Sequence, residues 1–274
     1  MMIAANIISM TILFAVPLLL VAMGGMFSEH SGVINLGLEG TMIKLARGVA
    51  LTMRHLADSS SPLLIILAVI LVSALVGMLY SCLLAVACIN FKADQTLVGT
   101  ALNLLGTAGA TVIVKAINTA NNPDDVSSIV QYVSTKKALT VNIGSFEFSW
   151  FMLITAILLA ASYVLLYKTR FGLRLMACGE HPQAADSVGI NVYKMRWAGV
   201  LISGFLGGLG GIVFITAGVS EWRFEYGVAG FGFLSLAVMI FGQWKPQRIA
   251  LAALLFGFFR ALGNVYTGIS FLKM

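Results

Sequence analysis

The sequence predicts an all-α polytopic membrane protein with about seven to nine membrane helices, one of them broken or re-entrant. Three observations lead there. Hydrophobic residues make up 59% of 274 and charged residues 10%, whereas soluble domains sit near half and a quarter. A water-soluble core of this size has no room for that much apolar surface, so the solvent is lipid. The apolar residues fall into runs of roughly 20, the length that crosses a bilayer core as a helix. The alternating ten-residue segments of a membrane β-barrel are absent. The 28 glycines fit helices that pack backbone to backbone in lipid. The net charge of +6 is read as Lys and Arg of cytoplasmic loops, not as a nucleic-acid surface.

The elements follow in chain order. Residues 3–23 form a first spanning helix; no Lys or Arg precedes the apolar run and no clear cleavage site follows, so it is retained and is not a signal peptide. Residues 31–53 are glycine-rich and carry Glu39, Lys44 and Arg47. They read as the broken or re-entrant segment, since irregular backbone survives at membrane depth only against protein or water. Spanning helices are then expected at 62–89, 96–117, 148–167, 197–217, 231–242 with its flanks, and 249–265. The run 198–214 contains Gly204/Gly208 and Gly207/Gly211, two Gly-x-x-x-Gly pairs that let a second helix approach closely. Phe231, Phe233 and Phe241 read as lipid-facing or core.

Loop charges set the orientation. Residues 168–196 hold Lys168, Arg170, Arg174, Lys194 and Arg196 against Glu180 and Asp186, and the link 243–248 adds Lys245 and Arg248. Both face the cytoplasm. Residues 118–147, with Asn-Asn-Pro-Asp-Asp at 121–125, then lie outside, as does the link 218–227. There Trp222 and Tyr226 fit either an interface belt or stacking on a base.

The cytoplasmic loop is the most informative stretch. In Gly-Glu-His-Pro-Gln-Ala-Ala-Asp-Ser-Val-Gly-Ile, residues 179–190, Pro182 sits where a helix begins and Gly189 where one ends. Barely two turns lie between them, too few to be stable alone. Ala184 and Ala185 offer a small face that fits a groove on a soluble partner; the plainer reading is a connector. Within the membrane, Asn35, Glu39, Asn103 and Thr107 are the polar residues of interest. Glu39 either lines a polar path or takes the plainer reading, a place at the interface or satisfaction by local N–H groups at the start of a half-helix. Asn103, Thr107 and Thr111 recur every fourth residue on one helix face, lining a path or bonding between helices.

Other chemistry is missing from the sequence. It holds no phosphate-binding Gly-x-x-x-x-Gly-Lys-Ser/Thr loop, no nucleophile elbow and no zinc motif. Cys82, Cys88 and Cys178, like His30, His55 and His181, are scattered without metal-ligand spacing. An ion-coupled secondary transporter would have Glu39 as its one strong intramembrane acid and no use for the alanine-bearing loop helix.

The loop at 179–190 resembles the coupling (EAA-type) loop of bacterial ABC-importer permeases. Gly-Val-Ile-Asn-Leu-Gly-Leu-Glu-Gly at 32–40 and the long stretch 230–264 resemble two signatures of the permeases grouped with basic-membrane-protein lipoprotein systems. The likeness runs in order along nearly the whole chain. It departs in the charges Lys44, Arg47, Arg54 and His55, and relatives continue past the equivalent of Met274 into a further helix and basic tail. The resemblance implies one permease domain over residues 1–274 with a cytoplasmic coupling loop at 168–196, in the bacterial plasma (inner) membrane. It implies that Gly179, Pro182, Ala184, Ala185, Gly189 and Ile190 serve contact with an ATP-binding subunit. The chain itself carries no cofactor or metal and is no enzyme, ATP being on the partner. A second, non-identical permease and an extracytoplasmic substrate-binding lipoprotein are further implied partners. The cargo implied is a nucleoside, with a simple sugar as the alternative.

Overall fold

The computed structural model describes residues 2–43, 62–124, 127, 129–131, 140–143, 146–218, 221–223, 228 and 230–265. Lys44, Arg47, Arg54, His55 and Tyr226 lie outside these. The long helices are α1 (Met2–His30), α3 (Pro62–Ala85, continued by a π-helical turn Val86–Asn90), α4 (Gln95–Asn121), α5 (Trp150–Lys168), α8 (Val192–Gly218) and α10 (Pro246–Val265). Shorter ones are α2 over residues 38–43, α6 (Arg170–Glu180), α7 (Pro182–Ser187) and α9 (Phe231–Phe241). Five of the described helices are long and apolar enough to cross a membrane: those containing Ile7–His30, Leu67–Asn90, Gln95–Ala120, Trp150–Lys168 and Val192–Phe214.

α1 is the hub. α8, α10 and α9 pack along it, and α3 packs on α8. Its residues 20–28 are buried without interruption, which is why this helix is apolar on every side. Leu71 and Leu79 of α3, Leu104 and Val112 of α4 and Ile157 of α5 are instead exposed, as expected of side chains that meet lipid. Of the three phenylalanines singled out in the sequence, Phe231 is buried while Phe233 and Phe241 are exposed.

α9 has 11 residues. At about 1.5 Å per residue it spans about 16 Å, half of a hydrocarbon core of about 30 Å. It is therefore too short to cross the core by itself, a half-helix.

Two expectations change. The sequence read as all helical, yet four short strands form two antiparallel pairs. β2 (Thr140–Ile143) pairs with β3 (Phe146–Ser149), and β1 (Ile129–Gln131) pairs with β4 (Glu221–Arg223). The first pair has a visible sequence signal, β-formers alternating on both sides of Gly144-Ser145. The second joins segments about ninety residues apart and has none. It brings residues 129–131 and 221–223 side by side. The loop 168–196 likewise differs from one short helix in a connector. It holds two helices, α6 and α7, and α8 begins at Val192.

Candidate functional site

Two features carry the chemistry: the segment 31–43 and the loop α6–α7. That segment starts where α1 ends. Gly32 takes φ +83°, and Gly32 N–H donates to the Glu29 carbonyl (2.9 Å) while Val33 N–H donates to that of Ser28 (3.2 Å). These are the two bonds of a Schellman stop, and the left-handed residue is why glycine stands there. Ser28 Oγ then donates to the Val33 carbonyl at 2.6 Å, fixing the reversal.

Beyond it the segment is held by side chains from two other helices. Asn35 Nδ2 donates to Ser203 Oγ of α8 (2.9 Å), and Asn35 Oδ1 accepts from Gly37 N–H (3.1 Å). Asn103 of α4 accepts from Gly40 N–H and donates to the Leu36 carbonyl, both at 2.8 Å. This amide bridges Leu36 and Gly40 and so clamps the start of α2. α4 gets close enough because Gly106 faces Gly40: a Cβ on Gly106 would stand 2.6 Å from the Gly40 Cα.

Glu39 reaches furthest. Its Oε1 accepts from Gly230 N–H (3.0 Å) and its Oε2 from Gly232 N–H (2.7 Å). Gly230 is the N-cap residue of α9 and has no capping side chain. The first N–H groups of a helix have no partner within it. A buried carboxylate some 190 residues away supplies one and offsets the partial positive charge of that end. Gly232 makes room, since a Cβ there would lie 2.5 Å from the Glu39 Cα. Of the two readings open for Glu39, the geometry is that of a half-helix start satisfied by N–H donation. Thr107 stands apart: its Oγ1 donates to the Asn103 carbonyl (3.1 Å) and the residue is half-buried. The cap and the Asn35–Ser203 bond could not be read from the sequence, because both join segments remote along the chain.

In the loop, α7 begins at Pro182 and ends in a second Schellman stop. Gly189 takes φ +81°, with Gly189 N–H on the Asp186 carbonyl (2.9 Å) and Ile190 N–H on that of Ala185 (3.0 Å). The two alanines separate. Ala185 is buried against its own chain, while Gln183, Ala184 and Val188 face outward. Gly179 is a packing residue as well, since a Cβ on it would stand 2.5 Å from the His30 carbonyl oxygen. The end of α6 thus rests on the end of α1.

Residues 7–273 match the family described as branched-chain amino acid transport system / permease component. The chain belongs to this family. The permease is therefore a multi-pass protein of the plasma membrane and a transporter subunit, not an ATPase. It is 41% identical over 268 residues to the guanosine ABC transporter permease protein NupQ of Bacillus subtilis, covering 94% of this chain and 82% of that one. It is 40% identical, with the same coverage, to the nucleoside ABC transporter permease protein NupC of Lactococcus lactis. A putative glucose ABC transporter permease of Haloferax volcanii is 29% identical over 94% of this chain and 77% of that one. No solved structure matches.

Proposed function

We propose that the permease forms half of the translocation path of an ATP-driven nucleoside importer, as one permease domain whose coupling loop is residues 168–196. The observation that carries the cargo is the 40–41% identity over nearly the whole chain to permeases named for guanosine and nucleosides. A neutral solute also suits a bundle whose described intramembrane acid, Glu39, is already engaged. An anionic nucleotide would need arginines or free helix N-termini aimed at phosphate. A simple sugar is the second reading, supported by the likeness to a glucose permease.

ATP binds and is hydrolysed on a separate subunit, which seats α7 through Ala184 and its exposed neighbours. Pro182, Ala185, Gly189 and Ile190 shape α7 and fix its stop; Gly179 passes its displacement to α1. Asn35, Glu39 and Asn103 hold the re-entrant backbone in place, while Thr107 offers its hydroxyl toward the path. A second, non-identical permease completes the path and an extracytoplasmic lipoprotein delivers the solute. Uptake of radiolabelled guanosine, inosine, uridine and ribose by cells expressing the full complex tests this. Nucleoside uptake competed by other nucleosides is expected; ribose uptake indifferent to excess nucleoside overturns the assignment.

A further inference from the structure

The turn between α9 and α10 places Gln243 and Trp244 in the left-handed region, at φ 51° and 54°, although neither is glycine. Gln243 N–H donates to the Ile240 carbonyl (2.9 Å) and Trp244 N–H to that of Met239 (3.3 Å), the two bonds of a Schellman stop. Glycine usually takes the left-handed place in such a stop, and two side-chain-bearing residues there cost backbone strain. The last two residues of α1 hold the second of them. Trp244 Nε1–H donates to the Glu29 carboxylate, and the Trp244 carbonyl lies 3.2 Å from His30 Nε2. Gln243 Oε1 accepts from Arg248.

The same two residues of α1 meet the coupling loop, because the end of α6 rests on the His30 carbonyl through Gly179. A surface groove of about 310 Å³ separates α6 from the turn, lined by Glu29, His30, Gly179, Glu180, Gln243 and Trp244. Protein interiors transmit displacement through close packing. With a groove between them, α6 acts on the turn through Glu29 and His30. Downstream, α9 is tied at its other end by Glu39. Both ends of the half-helix are thus fastened to the stretch from Glu29 to Glu39. An interface-belt tryptophan needs neither the carboxylate acceptor nor the left-handed backbone.

We propose that Trp244, held by Glu29 and His30, is a positioning residue that passes coupling-loop displacement to the half-helix α9. This rests on the reading of α6–α7 as the coupling loop. Glu29→Gln keeps an acceptor oxygen for the indole N–H, Glu29→Leu removes it, and Trp244→Phe removes the donor but keeps a ring. The assay is solute moved per ATP hydrolysed by the full complex in proteoliposomes, alongside the thermal midpoint and co-purification of the ATPase.

For Trp244→Phe and Glu29→Leu the ATPase stays bound and active, while transport per ATP falls at least about fivefold, the low end of ordinary inter-site coupling. Glu29→Gln stays within about twofold of wild type, because its acceptor is retained. An unchanged ratio in Trp244→Phe overturns the proposal, and so does an equal fall in all three variants that tracks a lowered thermal midpoint. If Trp244→Phe fails to assemble, Glu29→Leu against Glu29→Gln decides by the same ratio. Ala184→Glu separates the two ideas. Uptake lost there but unchanged per ATP in Trp244→Phe leaves the coupling loop standing and sinks the latch; wild-type coupling in Ala184→Glu sinks the loop reading and the latch with it.

Discussion

Replacing Glu39 with Ala removes the one side chain that caps α9 among the described residues. In the structure its carboxylate takes two N–H donors, at 3.0 and 2.7 Å, and the residue is 8% exposed. Hydrogen bonds to a charged group contribute about 1.5–3 kcal/mol each, and a buried donor left without a partner loses about 1–3 kcal/mol of hydration. Water that follows the lost side chain into the site recovers part of this. The net loss expected for Glu39→Ala is therefore about 3–5 kcal/mol. Glu39→Gln keeps one carbonyl oxygen but turns an NH₂ group toward a second N–H, so its loss is smaller, about 1–3 kcal/mol. The assay is thermal unfolding of the purified complex in detergent, read beside the uptake KM. Both midpoints fall, in the order Ala below Gln below wild type, with the KM of the surviving complex little changed. An unchanged midpoint in Glu39→Ala combined with a raised KM would refute the capping argument, because it would place the carboxylate on the solute.

Further outcomes follow from burial and close approach. Ala184→Glu, on the exposed side of α7, leaves the thermal midpoint in place but abolishes ATPase co-purification. Ala185→Glu lowers the midpoint, because that residue is buried against its own chain; parallel behaviour of the two variants refutes the assignment of sides. Gly106→Ala places a Cβ 2.6 Å from the Gly40 backbone and costs about 1–3 kcal/mol by overpacking. Gly207→Ala meets only side-chain atoms at 3.5 Å or more and is tolerated; a pull of equal folded yields speaks against this ranking. Burial pushes the Cys178 thiol above its ordinary value, with Arg196 opposing. The side chain is fully buried, so an impermeant maleimide labels Cys178 only after unfolding. Val188→Cys, 74% exposed, labels from the cytoplasmic side and Asp124→Cys from outside; labelling of both from one side overturns the orientation.

Glu39 shows where sequence reading stops. Its presence in a glycine-rich apolar stretch marked it as engaged in something, because an acid at membrane depth demands a partner. The partner is a pair of backbone N–H groups near residue 231, and backbone donors leave no trace in composition or spacing. Asn103 was legible as part of a polar helix face, but not as the clamp on residues 36–40. The coupling-loop helix was legible in its Pro and Gly ends, whereas the opposite facing of Ala184 and Ala185 was not, since that depends on how α7 lies against its own chain. Glu29, His30 and Trp244 carried no signal at all, and they meet only because α1 ends beside the α9–α10 turn.

By itself, then, the sequence determined the solvent, the predominantly helical class and the stop at Gly189. All of these follow from local hydrophobicity or backbone freedom. Only the tertiary structure decided which polar groups meet, which alanine faces out and where the half-helix is fastened at its two ends. Those contacts join residues up to about two hundred positions apart, and in lipid they are selected by close packing and hydrogen-bond geometry, neither of which is written in any local pattern.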